Sequence, residues 1–192
     1  MHYLLIDAAY ADRVCFDLTV HFERTLGRRV PKADLARWLE CVALDGGVRA
    51  PQDEAAADNA VCAVFLHNEE AEGLQNFAPA HFANEINGKA FRSTLGEFTM
   101  QCASSAGFAS AADFYGQSLE AIGQMKDVES ITLVPDAETY ADAVRTAVGK
   151  LAVREATVLA LQPLMGCPCR FEQLGYSFLA ALGISSDELA RQ

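Results

Sequence analysis

Short apolar runs alternate along this chain with longer segments that are apolar on one side only. Five of the short runs predict β-strands, and the first of them ends at an acid, Asp7. The run at 97–102 alternates apolar and polar residues, as expected of a strand at the edge of a sheet. The predicted strands cover residues 3–8, 60–67, 97–102, 130–134 and 156–161.

Between these strands, apolar residues repeat every three or four positions, which predicts amphipathic helices. The first helix carries an apolar stripe from Tyr10 to Phe22 and ends at Gly27, and the second begins near Pro31. Residues 48–59 are polar and acidic and predict a surface loop. The other helices are predicted at 79–87, 110–126, 136–151 and 171–182, with a last short turn from Ser185.

This order of elements predicts an α/β fold with a doubly wound, mostly parallel five-stranded sheet and helices on both faces. The arrangement is a Rossmann-like sandwich of three layers. Right-handed crossovers leave few other topologies. The sequence shows no internal repeat and no strong boundary, so residues 1–192 are predicted to form a single domain.

Composition and charge narrow the classes of function. A hydrophobic content of 51% excludes a disordered chain, and a formal net charge of −11 disfavours RNA as a partner. One stretch of the chain is basic, although the chain as a whole is acidic. We interpret this stretch as a solvated corner between two helices or as a site for an RNA backbone. It consists of Arg24, Arg28, Arg29, Lys32 and Arg37.

Several common sites and signals are missing from the sequence. No run reaches 18 apolar residues, so we expect no membrane partner. Asp7 interrupts the first apolar run, which disfavours an export signal, so we expect a cytoplasmic protein with reduced cysteines. The signature motifs of dinucleotide-binding proteins, serine hydrolases and zinc proteases are also absent. Cys167 and Cys169 form a Cys-Pro-Cys segment that is interpreted as a structural pair, a redox pair or half of a soft-metal site.

Acids follow the strands at one predicted edge of the sheet. The first and fourth strands are expected to be neighbours, which would bring Asp7 close to Asp136 and Glu138, while Asp113 opens another helix. Convergent carboxylates suit Mg²⁺ or Mn²⁺, which can activate water at a phosphodiester. Asp7, Asp113 and Asp136 are therefore candidate catalytic residues, and Asp7, Asp136 and Glu138 are candidate metal ligands. The alternative is that Asp113 and Asp136 only cap helices, whereas Asp7 needs another explanation.

His67, near the same edge, is interpreted as a ligand, a general base or a solvent-facing residue.

The order of elements and three local stretches resemble the PIN/NYN family of metal-dependent ribonuclease domains. Residues 5–7 (Leu-Ile-Asp) are similar to the family's first strand, which ends in a metal-binding Asp. Residues 112–114 (Ala-Asp-Phe) are similar to a segment that carries another acid, and residues 131–140 resemble a strand followed by an acidic turn. The resemblance implies that Asp7, Asp113, Asp136 and Glu138 are metal ligands or their neighbours.

The chain departs from the family pattern at two points. Tyr10 replaces the usual Asn, and no alignment of residues 131–140 restores both the acids and the aromatic residue of the acidic turn. Three hypotheses follow: a degenerate PIN/NYN-like binding or regulatory module, an active metal-dependent ribonuclease, or an unrelated domain that binds a small ligand at the same edge. The net charge and the missing acids favour the first hypothesis, and Asp7 favours the second.

The apolar final helix is interpreted as part of the core or as a homo-oligomer interface.

Overall fold

The computed structural model describes residues 1–51, 59–151 and 155–190. Its strands are β1 (His2–Asp7), β2 (Ala33–Asp34), β3 (Asn59–His67), β4 (Phe77–Ala78), β5 (Ala90–Ser93), β6 (Gly96–Ser104), β7 (Ser130–Val134), β8 (Glu155–Ala160) and β9 (Arg170–Gln173). Its helices are α1 (Ala8–Leu26), α2 (Leu35–Asp45), α3 (Ala111–Gly123), α4 (Ala137–Gly149), α5 (Leu174–Ala181) and α6 (Ser186–Ala190), and Phe82–Ile86 forms one π-helical turn. Residues 52–58 of the predicted loop lie outside the described residues.

Seven strands form the main sheet, in the order β5-β6-β3-β1-β7-β8-β9. All neighbours are parallel except β5 and β6. The predicted contact between the first and fourth predicted strands is confirmed, because β1 pairs with β7 as well as with β3. The predicted total of five strands is wrong, because β5 covers part of the expected edge strand, β6, and β9 extends the other edge. These two strands have four residues each and are not fully buried, so their apolar pattern is weak.

The two faces of the sheet bury separate apolar layers. Alternate residues of β1 point to opposite faces, so Leu4 and Ile6 join the layer covered by α1, α2 and α5, and Leu5 joins the layer covered by α3 and α4. In the first layer Trp38 stacks on Phe178 with ring centroids 5.3 Å apart. Because Phe178 belongs to α5, the apolar face of the predicted final helix is buried inside the molecule.

Three helix predictions need correction. The second helix begins at Leu35 rather than near Pro31, because the Asp34 carboxylate caps it there. The helix predicted at 79–87 is only the π-helical turn, where Glu85 binds two preceding backbone N–H groups. The final helix begins at residue 174 rather than 171, because the residues before it pair with β8 as strand β9.

The longest described helix is α1, with 19 residues, and it carries several charged side chains. Within the described ranges, no helix has both the length and the apolar composition to cross a lipid bilayer.

Candidate functional site

A cavity opens at the carboxyl ends of β1 and β7, where the winding of the sheet reverses. From β1 the sheet extends to β3 and β6 on one side and to β7, β8 and β9 on the other. Open α/β sheets bind ligands at this position. The cavity measures about 520 Å³, which is in the range of small-molecule sites. We call it the rim cleft; its lining includes Asp7, Arg13, His67, Tyr115, Asp136 and Tyr140.

Asp7 ends β1 and caps α1 without an intervening loop. Its backbone is extended (φ −72°, ψ 106°), and its Oδ1 accepts a hydrogen bond from the backbone N–H of Tyr10 at 3.0 Å. Its Oδ2 accepts a hydrogen bond from the hydroxyl of Tyr140 at 2.5 Å. Asp7 therefore has a structural role that the sequence pattern did not reveal: it satisfies an N–H at the start of α1 and joins β1 to α4.

Asp136 caps α4, so the capping interpretation of this residue is confirmed. Its Oδ1 accepts from the backbone N–H of Thr139 at 3.1 Å, and its Oδ2 accepts from the Thr139 hydroxyl at 2.9 Å. The backbone N–H of Asp136 donates to the Tyr140 hydroxyl at 3.1 Å. Tyr140 departs from helical geometry inside α4, with φ −134° and ψ 43°. Its hydroxyl therefore links the ends of the two central strands, through Asp136 and Asp7.

The positive charge nearest these acids comes from Arg13 on α1. Its Nη2 lies 3.2 Å from Oδ2 of Asp136 and 3.4 Å from Oε2 of Glu138. Its guanidinium carbon also lies 5.3 Å from the ring centroid of Tyr10. The ring of Tyr10 that contacts this arginine is itself buried. Arg13 thus compensates the charge of two carboxylates that the sequence suggested as metal ligands.

The environment of the cleft shifts the pKa values of two groups that share a hydrogen bond. Burial raises the pKa of Asp7, and the negative charge of Asp136 adds to the rise, while hydrogen bonds from Tyr140 and from backbone N–H groups act in the opposite direction. Burial and then the charge of Asp7 raise the pKa of the Tyr140 hydroxyl. Tyr140 therefore keeps its proton at neutral pH and remains the donor to Asp7.

The remaining predicted acids do not complete a metal site. Asp113 is absent from the lining of the rim cleft and lies in the first turn of α3, which Ser110 caps. The Ser110 hydroxyl donates to the Asp113 carboxylate at 2.7 Å, and the backbone N–H of Asp113 donates to that hydroxyl at 3.1 Å. Glu138 is exposed and bound to Arg13. In the described part of the chain, no group of three or more His, Cys, Asp or Glu residues is placed to hold a metal ion.

Comparison with known protein families places the chain in one of them. The model of a family of unknown function, DUF6621, matches residues 2–189. The chain belongs to this family. No curated protein and no solved structure matches it. The family match covers every element that builds the rim cleft.

The rings of His67, Phe108 and Phe114 form part of the lining of the rim cleft in this DUF6621 member. Nδ1 of His67 lies 2.7 Å from the carbonyl oxygen of Asn68, and the imidazole ring stacks on Phe82 with centroids 4.3 Å apart. Because a carbonyl only accepts hydrogen bonds, Nδ1 carries the proton, and Nε2 is the acceptor of the neutral ring. The rings of Phe108 and Phe114 lie 4.6 Å apart.

The basic stretch is not part of the rim cleft. Helix α1 runs away from Asp7, and at 1.5 Å per residue Arg24 lies about 25 Å along it. Arg24 and Lys32 are exposed near that distant end. The other three basic residues pair with carboxylates: Arg28 with Glu188, Arg29 with Glu23 and Arg37 with Glu40. These contacts favour the interpretation as a solvated corner between helices.

Three residues of the cleft were missed by sequence reasoning: Arg13, Tyr115 and Tyr140. The Tyr115 hydroxyl donates to the backbone carbonyl of Leu5 at 2.9 Å, and the two tyrosine rings lie 5.6 Å apart. Both tyrosines belong to the buried stripes of their helices, where they resemble ordinary core residues. The spacing of Tyr140, four residues after the Asp136 cap, is the signal that places it over the first helical turn.

Proposed function

We propose that this DUF6621 member is a PIN/NYN-like domain that acts as a binding module and not as a metal-dependent ribonuclease. The position of Arg13 carries this proposal, because its guanidinium lies 3.2 Å from Asp136 and 3.4 Å from Glu138, where a nuclease would need a metal ion. The parallel pairing of β1 with β7, with Asp7 at the end of β1, supports the kinship of fold.

The chemistry of the rim cleft favours a small, neutral or cationic ligand that carries hydrogen-bond donors. Each carboxylate oxygen of Asp7 has a second lone pair, and Nε2 of His67 accepts in the neutral ring. Arg13, the one cation in the described lining, is already paired with Asp136 and Glu138. A phosphate or carboxylate ligand would therefore meet like charge, and an RNA backbone is disfavoured for the same reason.

Fragment screening by protein-observed NMR tests the position and charge preference of the ligand site. A library with equal numbers of neutral, amine and carboxylate fragments is screened against the whole protein. We expect amide shifts around Asp7, Tyr115 and Tyr140 from neutral and amine fragments. Fragments that cluster elsewhere, or carboxylates that dominate in the cleft, would contradict the proposal.

A nuclease assay tests the alternative activity directly. Single-stranded RNA is incubated with the protein and millimolar Mn²⁺, and the wild type is compared with Asp7→Asn. Asp142→Asn is the matched control, because Asp142 is an exposed acid on α4 that pairs with Arg145. We expect no cleavage that depends on Asp7. Cleavage by the wild type and by Asp142→Asn, but not by Asp7→Asn, would establish the ribonuclease instead.

A further inference from the structure

We infer that Cys167 and Cys169 form a redox-active dithiol, which closes to a disulfide by exchange with a small disulfide such as oxidised glutathione. The two Sγ atoms lie 3.0 Å apart, and the thiol of Cys169 donates to the sulfur of Cys167. The pair lies in the connection between β8 and β9 and does not line the rim cleft. This inference is therefore independent of the proposed function.

The backbone around the pair brings the two sulfurs together. Gly166 has a left-handed conformation with φ 75°, which reverses the chain just before Cys167. The backbone N–H of Cys167 donates to the carbonyl of Leu164 at 3.2 Å. On the other side, Arg170 follows Cys169 directly and starts the pairing of β9 with β8. The chain is thus anchored on both sides of the pair, with Pro168 limiting rotation between the cysteines.

The geometry favours a disulfide over a bound metal ion. A disulfide needs the sulfurs to approach from 3.0 Å to about 2.05 Å, which is a short movement for two side chains that already touch. A structural zinc site needs about four ligands, and no group of three or more His, Cys, Asp or Glu residues is placed for one in the ranges that the structure describes. Both cysteines are only partly buried, so a small oxidant can reach them.

The two thiols have different roles in the exchange. The Cys169 thiol donates to the sulfur of Cys167, and burial and the neighbouring Cys167 raise the pKa of Cys169 to about 12. Cys169 therefore holds its proton, and Cys167 is the attacking sulfur. The Cys167 thiolate attacks one sulfur of glutathione disulfide, breaks its S–S bond and releases one glutathione thiolate. Cys169 then loses its proton, attacks the sulfur of Cys167 and releases the second glutathione. Two protein thiols are oxidised, one glutathione disulfide is reduced to two thiols, and the two protons end on the released thiols.

Peptide mass spectrometry, after the full chain has been equilibrated in glutathione buffers, tests this inference. The protein is incubated at graded ratios of oxidised to reduced glutathione, alkylated and digested with trypsin. Both cysteines fall in the tryptic peptide 155–170. We expect the wild-type peptide to lose two hydrogens and take up no alkyl group, and to recover both thiols when reduced glutathione is restored.

Two variants separate this closure from general thiol oxidation. In Cys169→Ser the exchange cannot finish, so Cys167 retains one glutathione. Cys41→Ser removes a partly buried thiol from α2 and is expected to close like the wild type. The inference is overturned if the wild-type peptide stays doubly alkylated or keeps glutathione at ratios that modify Cys169→Ser. It is also overturned if Cys41→Ser prevents closure.

Discussion

Replacing Tyr140 with Phe removes one hydroxyl that serves both central strands. This hydroxyl donates to Asp7 at 2.5 Å and accepts from the backbone N–H of Asp136 at 3.1 Å. A hydrogen bond to a charged partner contributes about 1.5–3 kcal/mol, and a buried N–H left without a partner costs about 1–3 kcal/mol. Because water in the cleft can replace part of both contacts, we expect Tyr140→Phe to lower the free energy of unfolding by about 2–4 kcal/mol.

Urea denaturation measures this loss, with the fluorescence of the single tryptophan, Trp38, as the signal. Tyr115→Phe is the matched control, because its hydroxyl donates to the neutral carbonyl of Leu5 in the same region. We expect the control to lose about 1 kcal/mol at every pH. The loss in Tyr140→Phe should be larger at pH 7 than at pH 4, because the ionised Asp7 is the stronger acceptor.

A double-mutant cycle with Asp7→Asn isolates the contact between the two side chains. We expect a coupling free energy of about 0.5–3 kcal/mol between Tyr140→Phe and Asp7→Asn. The hydroxyl–carboxylate link is refuted if Tyr140→Phe loses less than about 0.5 kcal/mol, which is the usual effect of a surface substitution. It is also refuted if the loss is the same at pH 4 and pH 7.

Three further predictions concern stability. Folding raises the pKa of Asp7, so the contribution of Asp7 to the free energy of unfolding is fully present below the unfolded pKa of about 3.9 and is lost as the pH rises through the folded pKa. In urea titrations from pH 3 to 7, the wild type should therefore lose stability relative to Asp7→Asn, and a gain in stability would contradict the direction of this shift. Gly46→Ala places a Cβ in collision with the Thr132 side chain and should lower stability by about 1–3 kcal/mol, measured by thermal denaturation. Adding Thr132→Ala should restore part of this stability, and the absence of any rescue would exclude the collision as the cause. Ser177→Ala removes the acceptor of the Trp38 indole N–H at 3.0 Å and should cost about 1–3 kcal/mol in urea, so an unchanged midpoint would contradict it.

The centre of the fold could be predicted from the sequence, and its edges could not. Strands β1, β3, β7 and β8 are buried on both faces, so they appear as apolar runs between polar segments. Edge strands β5 and β9 have only four residues each, and their own residues carry little apolar signal. The helix predicted at 79–87 failed for a related reason, since Glu85 stabilises a turn through local backbone contacts.

The candidate site was predicted in position but not in composition. Asp7 and Asp136 could be placed at one edge because Asp7 ends β1 and Asp136 lies two residues after the end of β7. Their partners could not be identified, because Arg13 and Tyr140 reach the cleft from helices whose relative position depends on packing. Asp113 lies outside the lining of the rim cleft and contacts Ser110, the N-cap of α3, and the sequence did not distinguish this position from one beside Asp7.

Thermal denaturation with and without millimolar Mn²⁺ tests most directly whether Arg13 has taken the place of a metal ion. A metal at 100 times its dissociation constant would add about 2.7 kcal/mol of stability, which is a shift of several degrees in the melting temperature. We predict that the wild type, Asp7→Asn and the Asp142→Asn control each melt at a temperature that Mn²⁺ does not change. A rise of several degrees in the wild type and in Asp142→Asn, lost in Asp7→Asn, would contradict this account.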